Sequence, residues 1–177
     1  MVKTQQKLGP WQTAWLETLE LGMFEQCKEF LCLWDVNEQQ DIEYSFCCLG
    51  LACEVAMENG EDVTCDDTSV EDQVTVEPVA IAYYGNANAQ HMGVFEILPK
   101  AVKNLFAFRE VDGEINVKDE KIVTEIRDWL RKNGVPEKNL PGTLYMTLAS
   151  FNDLGMPFET IAEFVRAFPY LVFSEPA

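Results

Sequence analysis

The sequence predicts an α+β domain, a mainly antiparallel sheet packed against about four to five helices. Three observations carry that expectation. Near the N-terminus Trp11, Trp15, Leu16 and Leu19 recur at helical spacing. Two apolar runs, 30–36 and 42–48, flank the polar stretch 37–41, as the arms of a hairpin flank its turn. Beyond residue 119 the apolar positions return to the helical period, first at Ile122, Val123, Ile126, Trp129 and Leu130, then at Phe158, Ile161, Ala162 and Val165.

Taken in order, the first helix spans 10–21 and stops at Gly22. The hairpin follows. Gly50 then leads into a short helix through Leu51, Ala52, Val55 and Ala56, closed by Asn59 and Gly60; small residues here allow close packing on the preceding strand. Residues 61–72 read as an acidic loop. Val74, Val76, Val79, Ile81 and Tyr83 alternate as a strand, with Pro78 marking an edge or bulge. A turn at 85–88 and a strand at 93–98 come next, then a helix over 99–106 with proline in its first turn. Asp112-Gly113 predicts a tight hairpin between 108–111 and 114–117. Asp119 caps a helix that runs to Lys132 and ends at Gly134. The C-terminal part reads as a helix over 143–151, a turn at 152–155 and a last helix over 157–168. Trp11, Trp15, Phe46, Leu51, Val55, Trp129, Leu148, Phe158, Ile161 and Val165 are expected in the core.

At 177 residues the chain fits one domain, 1–177. A chain of this size buries roughly 70% of its unfolded surface, enough for one core. No apolar run approaches the roughly 20 residues of a membrane helix. The N-terminus, Met1-Val2-Lys3-Thr4-Gln5-Gln6-Lys7, lacks the apolar centre of a signal peptide, so a cytoplasmic location is expected.

The net charge is −17. Between Lys28 and Lys100 there is no Lys or Arg, and the 71 residues 29–99 hold 15 Asp and Glu, so this stretch carries −15 of the total. Such a field repels nucleic acid and anionic membranes and favours a basic protein surface or a cation. The helix–turn–helix outline at 148–165 is therefore no DNA reader. Its second helix offers Glu159 and Glu163 against a single Arg166, and its apolar face belongs to a core.

Six cysteines, Cys27, Cys32, Cys47, Cys48, Cys53 and Cys65, include two Cys-x4-Cys pairs. That spacing is within reach of zinc, but apolar neighbours such as Phe30, Leu31, Leu49 and Leu51 surround the thiols. Reduced, metal-free, structural thiols are expected. The one histidine, His91, sits in a generic loop context that favours a surface position. No nucleophile elbow, phosphate-binding glycine loop or dinucleotide fingerprint occurs. The carboxylates at 61–67 lack the glycine and closing glutamate of a calcium loop. No catalytic residue, metal ligand or cofactor is assigned.

Two motifs resemble a family. Cys47-Cys48-Leu49-Gly50-Leu51-Ala52-Cys53 and Asn152-Asp153-Leu154-Gly155-Met156-Pro157-Phe158-Glu159-Thr160-Ile161-Ala162 are similar to the Cys-Cys-Leu-Gly-x-x-Cys and Asn-Asp-x-Gly-x-x-Phe-x-x-Ile-Ala pattern of small, mostly uncharacterised phage-encoded proteins. Gly22-Met23-Phe24-Glu25-Gln26 resembles that family's opening, and Leu98-Pro99-Lys100-Ala101-Val102 its central Leu-Pro-x-x-Val. Phe151 stands where Leu is more usual, and 108–133 is longer than usual, a candidate subfamily insertion.

The resemblance implies a phage accessory protein of the counter-defence kind, acting in the infected host cell. Two non-enzymatic classes fit. One binds and sequesters a nucleotide-type immune messenger in a pocket, as a sponge. The other is an acidic nucleic-acid mimic, or inhibitor, of a basic host protein. The acidic stretch favours the second; the aromatic-rich core and the polar Asn152-Asp153 turn suit the first, which is the reading adopted. Its candidate ligand-binding residues are Gln26, Lys100, Arg109, Asn152 and Asp153. The turn at 152–155 also has a structural reading, since Asn and Asp cap their own backbone. A nucleotide needs cations, and Lys100, Lys103, Arg109 and Arg127 are those that would have to converge. Backbone N–H groups at a helix N-terminus, and a homo-oligomer pooling basic residues, would add to them.

Overall fold

A computed structural model of the chain describes residues 6–28, 31–36, 39–61, 98–110, 113–136, 140 and 145–174. Its elements are α1 (Pro10–Leu21), β1 (Glu25–Gln26), β2 (Cys32–Val36), β3 (Ile42–Phe46), α2 (Gly50–Glu58), α3 (Lys100–Leu105), β4 (Glu114–Asn116), α4 (Glu120–Lys132), β5 (Tyr145–Thr147), α5 (Leu148–Asp153), α6 (Phe158–Ala167) and α7 (Pro169–Val172). Helices and small sheets are mixed, so the class is α+β. The loop expected at 61–72 beyond Glu61, the strand at 74–83, the strand at 93–98 short of Leu98, the turn at 85–88, His91 and Cys65 lie outside the described residues.

The first hairpin forms as expected. β2 runs antiparallel to β3, with Cys32 opposite Phe46 and Val36 opposite Ile42. β1 then joins the other edge of β3 in parallel, Glu25 beside Ser45 and Gln26 beside Phe46. The order is β1-β3-β2. β4 and β5 make a separate antiparallel pair. Among the described residues the strands therefore form two small sheets, one containing a parallel pair, in place of one antiparallel sheet.

Two local expectations are corrected. Among the described residues β4 forms no ladder with 108–110. It pairs with β5, Glu114 opposite Thr147 and Ile115 opposite Met146, while Phe108 bridges to Phe173. Gly113 does turn, with φ +67, but a Cβ there would meet the Leu148 side chain at 2.9 Å. The Leu148 N–H also donates to the Gly113 carbonyl, 3.2 Å away. The distant pairing buries both Ile115 and Met146, and that apolar gain outweighs a local turn preference. The helix expected over 143–151 begins only at Leu148. Thr147 is its N-cap: the hydroxyl accepts from the Ser150 N–H at 2.9 Å, and the Ser150 hydroxyl accepts from the Thr147 N–H at 3.1 Å. The last helix expected forms over Phe158–Ala167, and beyond it Pro169 opens a further short helix, α7.

Trp15 lies at the centre of the core. It is fully buried, packs edge-on against Phe108 and Phe173, and donates from Nε1 to the Cys48 carbonyl at 2.8 Å. Phe46, Leu51, Val55, Leu148, Phe158, Ile161 and Val165 are buried with it as expected. Trp11 and Trp129 are half-buried against the same cluster; Trp129 sits edge-on to Phe164. Ile115, Val117, Val123, Ile126 and Leu130, all within 108–133, join that cluster too.

Candidate functional site

Gln26 and Asn152 are brought together, but as partners of each other. Asn152 has 0% exposure. Its Oδ1 accepts from Gln26 Nε2 at 2.8 Å and from the Cys48 N–H at 3.1 Å. Its Nδ2 donates to the Cys27 carbonyl at 2.7 Å. Gln26 Nε2 also donates to the Met156 carbonyl at 2.9 Å. Backbone polar groups at the end of β1 and between β3 and α2 are thereby satisfied through one amide from α5. A buried backbone group needs such a partner, and side-chain amides carry both a donor and an acceptor. The Asn-Asp-x-Gly turn therefore serves as a structural lock. Gly155 adopts φ +81, and its N–H donates to the Asn152 carbonyl at 2.9 Å. Asp153 is half-buried at the end of α5.

Cys27 and Cys48 belong to the same junction through their backbone groups. Cys48 and Cys53 are fully buried, and Cys27 and Cys47 nearly so. Burial first, then the neighbouring Cys47, pushes the Cys48 thiol up. Burial does the same to Cys53 and to the half-buried Cys32. Cys48 Sγ donates to the Leu148 carbonyl at 3.5 Å, and Cys47 Sγ accepts from the Gly50 N–H at 3.3 Å. Thiols held neutral in this way are poor nucleophiles. No group of three or more His, Cys, Asp or Glu among the described residues is placed to hold a metal ion.

Arg109 lies elsewhere. It follows the Phe108–Phe173 bridge, and its backbone N–H donates to the Val172 carbonyl at 2.9 Å. Its Nε donates to the Phe173 carbonyl at 3.1 Å, which fixes the guanidinium plane. Arg109 borders a cleft of about 670 Å³. The polar lining is Arg109, Glu110, Glu114, Asn116, Lys118 and Asp119, and Tyr170 stands among apolar walls from Val117, Ile122 and Leu171. Its volume falls in the roughly 300–1,000 Å³ range of small-ligand sites, although its lining is more polar than theirs usually is.

Of the expected binding residues only Arg109 lines this cleft; Gln26, Asn152 and Asp153 do not, nor do Lys103 and Arg127. The Lys100 side chain lies outside the described residues, although its backbone opens α3. Lys118 and Tyr170 were not singled out from the sequence. No local motif marks them, because the cleft exists only once α7 is docked on β4. The N-terminus of α4 opens at the cleft wall, but Asp119 already caps it, accepting from the Lys121 N–H at 2.8 Å.

No known protein family, curated protein or solved structure matches the chain. No helix among the described residues is long and apolar enough to cross a membrane.

Proposed function

We propose that the protein binds a small nucleotide-type ligand in the Arg109–Tyr170 cleft and sequesters it without chemistry, as a phage counter-defence sponge would. One observation carries the reading: an oriented guanidinium, a second cation and a half-buried aromatic ring line the same cleft. A guanidinium fork matches phosphate oxygens, and an aromatic ring takes the face of a base. The counter-defence setting rests on the motif resemblance alone. A sponge must outcompete a receptor, so nanomolar affinity is expected, about −12 kcal/mol. The test is a thermal-shift and calorimetry panel of mononucleotides, cyclic di- and trinucleotides and ADP-ribose derivatives. Saturable binding that Arg109→Ala weakens, with the ligand recovered intact, supports the reading. Recovery of a cleaved ligand would make the protein an enzyme.

A second reading is favoured by charge. Asp41, Glu43, Glu58 and Glu61, all from the acidic stretch, are exposed. They suit an acidic surface that engages a basic host protein in place of nucleic acid. Capture of such a protein, released by about 0.5 M salt, would mark this reading, since exposed charge pairs are screened there.

A further inference from the structure

The charges of the cleft do not match a ligand that is anionic along its whole length. Its two cations, Arg109 and Lys118, are outnumbered by three carboxylates, Glu110, Glu114 and Asp119. A carboxylate repels phosphate and accepts from hydroxyl and amino groups. Asp119 is partly engaged by its capping bond, and Glu114 Oε1 accepts from Asn116 Nδ2 at 3.2 Å. These bonds hold two of the three carboxylates in position. The cleft is therefore bipolar, with cations for one phosphoryl group and carboxylate acceptors for neutral donors. The Val117, Ile122, Tyr170 and Leu171 walls suit a flat apolar body.

Accepting the cleft as a nucleotide site, on which this step rests, we infer that it selects a 5′-mononucleotide with a free ribose 2′,3′-diol over a cyclic oligonucleotide. A free diol presents two adjacent donors that a single carboxylate can accept. In a cyclic dinucleotide the 3′ or 2′ hydroxyl is esterified, and a second phosphate replaces a donor with an anion. That second charge would meet the Glu110, Glu114 or Asp119 carboxylates, and like charges repel. The same logic disfavours di- and triphosphates. The carboxylates thus exclude wrong ligands as well as hold the right one.

The experiment is isothermal calorimetry on the full chain with the common 5′-mononucleotides, their 2′,3′-dideoxy counterparts and cyclic di-AMP. The base that binds best is then tested on Glu110→Gln and Glu114→Gln, whose apo melting temperatures report folding. A mononucleotide is expected to bind tightest. Removing its diol should weaken binding about ten- to hundredfold, the usual cost of a lost hydrogen bond to a charged group. The two Gln variants should narrow the gap between mononucleotide and cyclic di-AMP. Cyclic di-AMP binding as tightly as the mononucleotide would overturn the inference and leave the nucleotide reading standing, as would a dideoxy ligand of undiminished affinity. Binding of no nucleotide at all would overturn both.

Discussion

The Oδ1 of Asn152 accepts the backbone N–H of Cys48 at 3.1 Å, across 104 positions of chain. This bond joins the two sequence motifs that otherwise look independent, Cys47-Cys48-Leu49-Gly50 and Asn152-Asp153-Leu154-Gly155. Each motif supplies half of one buried polar junction.

Asn152→Ala should be strongly destabilising. It strands the Cys48 N–H and the Cys27 carbonyl, both served by that amide. Each orphaned buried group costs about 1–3 kcal/mol, so a loss of about 3 kcal/mol or more is expected by urea titration. Once folding is restored by lower temperature, ligand affinity at the Arg109 cleft should match the parent. A loss of affinity in folded protein would return Asn152 to the binding site.

Gly50→Ala tests a close approach. Alanine inside a helix ordinarily gains up to about 1 kcal/mol over glycine. Here a Cβ would stand 1.7 Å from the Leu31 carbonyl oxygen, which is backbone. The clash should reverse the sign and cost about 3 kcal/mol, with β2 and α2 forced apart. Equal or higher stability would refute the packing of α2 on Leu31.

Trp15→Ala should cost about 3–5 kcal/mol, the usual range for removing a buried aromatic. Trp15→Phe separates two contributions. It keeps most of the contact with Phe108 and Phe173 but leaves the Cys48 carbonyl without its 2.8 Å donor. An intermediate loss is expected in thermal denaturation; a Phe variant as stable as the parent would remove the hydrogen bond from the account.

Two pH effects follow from the titrating groups. Arg166 forms a bidentate pair with Glu20, 2.7 and 3.0 Å, linking α6 to α1. That hydrogen bond holds the Glu20 carboxyl below its usual range. The pair's contribution is present above the ordinary glutamate pKa, about 4.3, and is lost as pH falls through the lowered value. Because both side chains are about a third exposed, it is worth only about 0.5 kcal/mol. Glu20→Gln should thus differ from the parent at pH 7 and converge with it near pH 3.

The buried thiols act at the opposite end. Cys48 and Cys53 have raised pKa values in the folded chain. Unfolded thiols ionise above about pH 8.5. The stability these groups contribute is complete below that pH and falls as pH rises above it, because only the unfolded state then releases protons. Native alkylation by iodoacetamide at pH 8 should be slow at both positions and rapid in denaturant. Fast native labelling of Cys53 would contradict its burial.

Much of the fold was legible locally. Gly22 ending α1, Asp119 capping α4, the β2–β3 hairpin and the apolar stripe of α6 all depend on residues within a few positions of one another, so spacing and turn chemistry reveal them. The 143–151 stretch misled because short apolar runs fit a strand as well as a helix until Thr147 is seen to cap. Of the candidate site, Arg109 was legible as a cation in a cation-poor chain; Lys118 and Tyr170 carry no local signal.

The sequence by itself thus determined most of the helices, the Gly22 stop and the Asp119 cap, the acidic charge and most of the expected core residues, because these follow from short-range periodicity and composition. The tertiary structure alone decided that β4 pairs with β5, that Asn152 serves Cys27 and Cys48, and that Arg109 and Tyr170 line one cleft. Those outcomes depend on partners tens to more than a hundred residues away. A distant partner is chosen by the apolar area it buries and the backbone groups it satisfies, and neither quantity exists until the chain has folded.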